Sequence, residues 1–174
     1  MRHVASGTAW DIGGMGEELC NQLVDRGLVR DVAGIYSLRF DDVVILERMA
    51  DRSARNLMDG IERSRQQPLH RLLVGLGIRH VGEHVARVLA DHATSLEALS
   101  ATGVEELEGI EDVGPVVAAS VRQFFEEPRN EALLGRLVEG GVRTTAEERP
   151  AGDDAPALQG KTFVLTGTLP GMTR

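Results

Sequence analysis

The stretch Ile78-Arg-His-Val-Gly82-Glu-His-Val-Ala86-Arg-Val-Leu89 decides the fold. Its first five residues place apolar side chains first and fourth and a small residue last, as a tight turn anchored on a core does. Past Gly82, apolar or small residues fall at the third, fourth and seventh positions: Val85, Ala86 and Leu89. Those offsets mark one face of an α-helix, so the turn opens an amphipathic helix. The same grammar occurs three more times, at Ile12-Gly-Gly-Met-Gly16, Leu46-Glu-Arg-Met-Ala50 and Ile110-Glu-Asp-Val-Gly114. The final small residues lie 34, 32 and 32 positions apart. Downstream, the third offset holds Leu19, Ser53 and Val117, the fourth Cys20, Ala54 and Ala118, and the seventh Leu23, Leu57 and Val121. A small residue at the fourth offset lets a neighbouring helix approach closely.

Other helices fill the gaps. Thr94-Ser-Leu-Glu97 and Thr102-Gly-Val-Glu105 read as capping boxes. Pro68 suits the first turn of a helix over Leu69–Leu76, and a last helix is expected over Asn130–Glu139, stopped by Gly140-Gly141. Strand signals are nearly absent before residue 160, so the body is all-α. From Thr144 to Ala157 the chain turns to Ala, Pro, Glu, Asp and Gly without apolar periodicity, which predicts a flexible linker. Beyond it Lys161-Thr-Phe-Val-Leu-Thr166 reads as one β-strand without a partner, the truncated start of a further domain. The expected organisation is a repeat domain over 1–143, a linker over 144–157 and the start of another domain over 158–174.

Composition narrows the chemistry. No apolar run approaches the roughly 20 residues needed to cross a bilayer, and no secretory leader pattern opens the chain, so no membrane is expected and a cytoplasmic location is. A single cysteine, Cys20, excludes an intrachain disulfide and a Cys-rich zinc site. His80 and His84 have metal-ligand spacing but no third ligand, so no metal site is expected. The net charge of −8 argues against a broad basic surface, so any polyanion must be held locally. The cations are 18 arginines and one lysine.

The repeated turn offers such local binding. A Gly-hydrophobic-Gly turn before a helix leaves N–H groups pointing outward, where the helix dipole adds partial positive charge. These groups can hold a phosphate oxygen. The small last residue is expected to serve both the turn's backbone angles and the close approach of a sugar-phosphate strand. Met15, Met49, Val81 and Val113 should pack inward and fix each turn. Backbone contacts of this kind ignore base sequence. The candidate binding residues are Gly14, Met15 and Gly16 in the first turn, and Met49, Arg52 and Arg55 at the second. His80, Val81, Gly82, His84 and Arg87 form the third set, and Val113 and Gly114 the fourth. Arg122 lies on the helix after the fourth turn.

Four segments, Ala9-Trp-Asp-Ile-Gly-Gly-Met-Gly16, Leu46-Glu-Arg-Met49, Leu76-Gly-Ile-Arg-His-Val-Gly-Glu83 and Val113-Gly-Pro-Val-Val-Ala118, resemble in order the tandem helix-hairpin-helix domain of bacterial NAD-dependent DNA ligases. Gly160-Lys-Thr-Phe-Val-Leu-Thr-Gly-Thr-Leu169 is similar to the first strand of the BRCT domain that ends those enzymes. Ala50 departs from the family, where Gly is common. The resemblance implies a C-terminal fragment with four tandem helix-hairpin-helix motifs, then the linker and one truncated β-strand. It implies sequence-independent binding of nicked double-stranded DNA through hairpin amides in replication and repair. The remaining ligase domains act in cis, near the bacterial nucleoid. The family adenylates a lysine in a Lys-x-Asp-Gly motif, whereas Lys161 here precedes Thr-Phe-Val. The fragment is therefore expected to have no catalytic residue and to bind no cofactor. NAD, Mg and Zn are implied for the full-length parent alone. Two other readings fit the same residues: a junction-binding or nuclease-associated helix-hairpin-helix subunit, and a protein-interaction scaffold with purely structural hairpins.

Overall fold

A computed structural model describes Trp10 and residues 12–146; the expected strand at 161–166 and most of the expected linker lie outside them. The described chain is all-α. Its helices are α1 (Glu17–Asp25), a 3-10 helix (Val32–Ser37), α2 (Phe40–Val44), α3 (Asp51–Ser64), α4 (Leu69–Leu76), α5 (Glu83–His92), α6 (Leu96–Ala101), α7 (Val104–Glu108), α8 (Pro115–Glu126) and α9 (Pro128–Glu139). The four turns each open one helix: α1, α3, α5 and α8. The helices flanking the last three turns pack on each other, α2 on α3, α4 on α5 and α7 on α8.

The repeat is also the core. Cys20, Ala54, Ala86 and Ala118, at the fourth offset, are all buried, as are Leu23, Leu57, Leu89 and Val121 at the seventh. Burying one such Leu or Val side chain stabilises the fold by roughly 1.5–3 kcal/mol. Ser53, at the third offset, is exposed and interrupts that face of α3.

Three contacts join the two halves of the chain. Trp10 lies against α4, where a Cβ on Gly75 would come 2.3 Å from the indole Nε1. Helix α9 packs on α8 and on the 3-10 helix, and Arg136 bonds Asp31 at 2.7 Å. The Arg143 N–H donates to the Arg65 carbonyl at 2.7 Å.

Some details differ from the sequence reading. Ser95, and not Thr94, caps α6, its hydroxyl accepting from the Ala98 N–H at 3.0 Å. Thr102 caps nothing: its hydroxyl donates back to the Ala98 carbonyl at 2.9 Å, and α7 starts from Gly103 without a side-chain cap. Helix α9 begins at Pro128, because proline at the first helical position loses no needed hydrogen bond. Residues 144–146 pair with 94–96 through Leu96 N–H to Thr144 O and Ala146 N–H to Thr94 O, both 2.8 Å. Ordered pairing thus runs past the point where the composition changes.

Candidate nucleic-acid interface

All four turns close with one hydrogen bond from the fourth residue to the first. Met15 donates to Ile12 at 3.2 Å, Met49 to Leu46 at 3.1 Å, Val81 to Ile78 at 3.0 Å and Val113 to Ile110 at 3.1 Å. In each, the third residue takes a positive φ: 87° at Gly14, 60° at Arg48, 64° at His80 and 65° at Asp112. The second residue does not, which is the signature of a type II turn. A non-glycine residue held there costs about 1–3 kcal/mol. Three of the four turns accept that cost. The apolar pairs that anchor each turn balance it: Ile12 with Met15, Ile78 with Val81, and Leu46 are buried, and so is Val113. The side chains of Met15, Val81 and Val113 point inward, as expected, and Met49 is half-buried.

The small residue that ends each turn does not serve the turn's backbone angles, the first of the two roles expected of it. Gly82 sits at φ −88° and ψ −176°, Gly16 at −74° and 172°, and Gly114 at −80° and 172°. This is extended backbone that any residue adopts, as Ala50 does. The turn's angular demand falls two residues earlier. A Cβ built on Gly16, Gly82 or Gly114 meets nothing within 4 Å. Neither backbone angle nor internal packing therefore explains three glycines here. Each is the N-cap of its helix, and none of α1, α3, α5 and α8 has a side-chain cap. A Ser or Asp there would have bonded a first-turn N–H, as Ser95 does on α6. The open N-termini aim donors and dipole outward past a surface with no side chain on it.

The hairpins come in pairs. The tip of the second leans on α1: the Glu47 N–H donates to Gln22 Oε1 at 2.9 Å, and Arg48 bonds Glu18 at 3.1 Å. The tip of the fourth leans on α5, with Asp112 2.8 Å from His84 Nε2. Arg48 and Asp112 hold equivalent places in the repeat, and so do Glu18 and His84. The contact is the same, with a cation on the tip in one pair and an acid on the tip in the other.

The candidate side chains are unequally free. His84 is engaged by Asp112, and Arg87 by Glu83 at 2.7 Å. That hydrogen bond, with the guanidinium charge, holds the Glu83 carboxyl below its usual value. Arg55 lies over the Phe40 ring, 5.6 Å from its centroid, and 3.9 Å from Asp51. Arg52 and His80 are exposed at their turns. Arg122 is not at the interface. Its half-buried guanidinium holds the Ser100 carbonyl at 2.6 Å, the Thr102 carbonyl at 3.3 Å and Glu126 at 3.0 Å, joining α6 to α8. Around the fourth turn the chemistry turns against phosphate: Glu111 and Asp112 are exposed, and Pro115 removes one first-turn donor. Among the described residues no three His, Cys, Asp or Glu side chains gather to hold a metal ion. No described helix is long and apolar enough to cross a membrane.

Residues 71–134, which span the third and fourth turns, match the family described as the helix-hairpin-helix motif. Similarity to larger proteins covers the whole chain. A DNA ligase of Roseiflexus sp. strain RS-1 is 47% identical over 174 residues, all of this chain and 24% of that protein. A DNA ligase of Acidobacterium capsulatum is 51% identical over 172 residues, 99% of this chain and 25% of that protein. The chain matches one segment of the DNA ligases. It spans about a quarter of the length of the curated relatives it matches, and a DNA ligase of Marinobacter nauticus, 49% identical, gives the same proportion, 26%. Within this chain the motif match covers the second hairpin pair. The first pair is recognised through the repeat, whose turns have the same hydrogen bond and the same positive φ.

Proposed function

We propose that this chain is the DNA-gripping part of an NAD-dependent DNA ligase. It holds nicked duplex DNA without regard to base sequence, through amides at the hairpin-opened helices. The observation that carries this reading is the set of open N-caps at Gly16, Gly82 and Gly114. At each, neither a positive φ nor internal packing demands glycine, and each adjoins first-turn donors that no side-chain cap takes. A sugar-phosphate strand is the partner that uses both features, a bare surface and outward N–H groups. The first and third hairpins carry most of the grip, since the second has Ala50 and the fourth is acidic. The other ligase domains act in cis and hold NAD, Mg and Zn.

Replacing Gly82 with Val tests the reading. The extended φ and the open space predict a folded protein, less stable by about 1 kcal/mol because Val is a poorer N-cap than Gly. The branched side chain stands between a phosphate and the amides after it. Loss of one charge-assisted hydrogen bond costs about 1.5–3 kcal/mol, roughly a 10- to 150-fold weaker Kd by the affinity arithmetic. Binding to nicked duplexes of unrelated sequence should weaken equally. If folded Gly82→Val and Gly16→Val proteins bind as tightly as the parent, the hairpins are structural and the chain is a scaffold. A strong preference for one duplex sequence would point to base readout instead.

A further inference from the structure

We infer that the cleft between the first hairpin and α3 is a second phosphodiester site, with Arg63 as its cation. This rests on the reading of the chain as a DNA-gripping segment. The cleft is open, about 540 Å³, and is walled by the backbone of Gly13 and Gly14 on one side and by Arg48 and Met49 on the other. Ser53, Asn56 and Arg63 line it from α3, Arg63 two turns beyond Asn56. Helix and hairpin meet closely because α3 carries Gly60 there: a Cβ would come 3.3 Å from the Gly13 carbonyl oxygen.

Three features point to an anion. No carboxylate lines the cleft, although the chain has a net charge of −8. Arg48 is paired with Glu18, but its side chain stays 81% exposed. The side chains of Arg63, Ser53 and Asn56 make no hydrogen bond or ion pair among the described residues, unlike those of their neighbours Arg55 and Arg65. A guanidinium, a hydroxyl and an amide left free around a glycine backbone are the donor set that a phosphate takes.

The second hairpin pair supplies the contrast. Its equivalent cleft is smaller, about 230 Å³, and has Glu127 where the first has Arg63. Arg79 also lines it, beside the Glu127 carboxylate, and two of its other polar groups are already used: the Ser120 hydroxyl donates to the Val116 carbonyl at 2.8 Å, and Asn130 donates to the Phe124 carbonyl at 3.0 Å. The two halves share a backbone plan, but of the two clefts only the first is lined by cations without a carboxylate. The strand crossing the first hairpin therefore has a further phosphate held there.

The test is the salt dependence of duplex binding by the 174-residue chain and two variants, Arg63→Gln and Arg26→Gln. Arg26 caps the far end of α1 and removes the same charge away from the cleft. Each phosphate contact contributes about 0.9 to the slope of log K against log salt. Arg63→Gln should lower the slope by about that amount and weaken binding several-fold on every duplex sequence, with an unchanged melting temperature. Arg26→Gln should leave the slope unchanged. Equal effects of the two variants would reduce Arg63 to general charge, and no effect of Arg63→Gln would empty the cleft of function; either overturns the inference. If the parent binds and Gly82→Val weakens it while Arg63→Gln does not, this inference alone fails. If the parent binds no DNA, the proposed function fails with it.

Discussion

Substituting Gly75 by Ala adds one methyl group to α4, and its effect follows from two opposed terms. In an open helix the change is favourable by about 1 kcal/mol, because Ala is the better helix former. Here the added Cβ would sit 2.3 Å from Trp10 Nε1, 2.7 Å from Cε2 and 2.9 Å from Cδ1. No real side chain tolerates those distances, and the neighbour is a rigid ring, so the ring must leave. Trp10 is 1% exposed. A Trp buries about 150–250 Å², so at about 25 cal/mol per Å² complete expulsion forfeits roughly 4–6 kcal/mol. Some of that returns, since the indole N–H has no partner among the described residues and regains water outside. A partial shift and the helix gain reduce it further, leaving about 2–4 kcal/mol of destabilisation. At about 2–4 °C per kcal/mol for a chain of this size, the melting point should fall by roughly 5–15 °C. Trp10 is the only tryptophan, so its emission reports the displacement directly and should move to the red. Gly75→Ala in a Trp10→Leu background should cost little, because nothing is left to clash. A variant that melts at or above the parent temperature with unshifted emission would refute the reasoning.

Arg122→Ala should destabilise the fold by about 1–3 kcal/mol, since it strips the Ser100 and Thr102 carbonyls of a charged donor; thermal melting checks this, and duplex affinity measured on the folded protein should stay at the parent value. His70 is held below its ordinary value of 6.5, first by burial and then by the charges of Arg87 and Arg71. The unfolded chain therefore takes a proton near pH 6.5 that the folded one refuses, so stability should fall as pH drops through that value and level off below the folded pKa. His70→Gln should flatten this part of a stability profile measured between pH 8 and pH 5. Incubation with NAD and a divalent metal should leave the mass of this chain unchanged, because no Lys-x-Asp-Gly nucleophile is present; an AMP-sized increase in the intact mass would contradict the assignment of catalysis to other domains.

The repeat was legible because its information is carried by side-chain burial, which leaves a period in the sequence. The fourth and seventh offsets named the core residues correctly in all four units. Backbone geometry left a weaker trace. Gly14 is an obvious candidate for positive φ, but Arg48, His80 and Asp112 take the same conformation without being glycine. Only alignment of the four turns on Gly14 could have disclosed it. Gly82 looks like the residue that needs a glycine, yet its φ of −88° is open to any residue. Tertiary partners were invisible for a different reason. Arg122 and Arg52 look alike as exposed-helix arginines, yet Arg122 meets the end of α6, an element two helices earlier in the chain. Arg63 lies more than three turns along α3 from its hairpin, and reaches the cleft only because Gly60 lets the first hairpin come close. The choice of Ser95 over Thr94 as cap was a one-residue ambiguity between two good capping residues.

Four near-copies of one motif in a single chain pose a problem of self-sorting. Each hairpin tip meets several helices of almost the same shape while the chain folds, and exchange among similar repeats is a known route to misassembly. The exchanged charges act as an address. Arg48 finds an acid on α1 and Asp112 finds an imidazole on α5. A chain that folded with these partners traded would set Asp112 against the Glu18 carboxylate and leave Arg48 facing His84. An exposed ion pair contributes only about 0–1 kcal/mol to stability, but the choice between partners is governed by a difference, in which two attractions are lost and a repulsion is gained together. Contacts too weak to hold the fold are thus strong enough to tell the two halves which hairpin belongs to which helix.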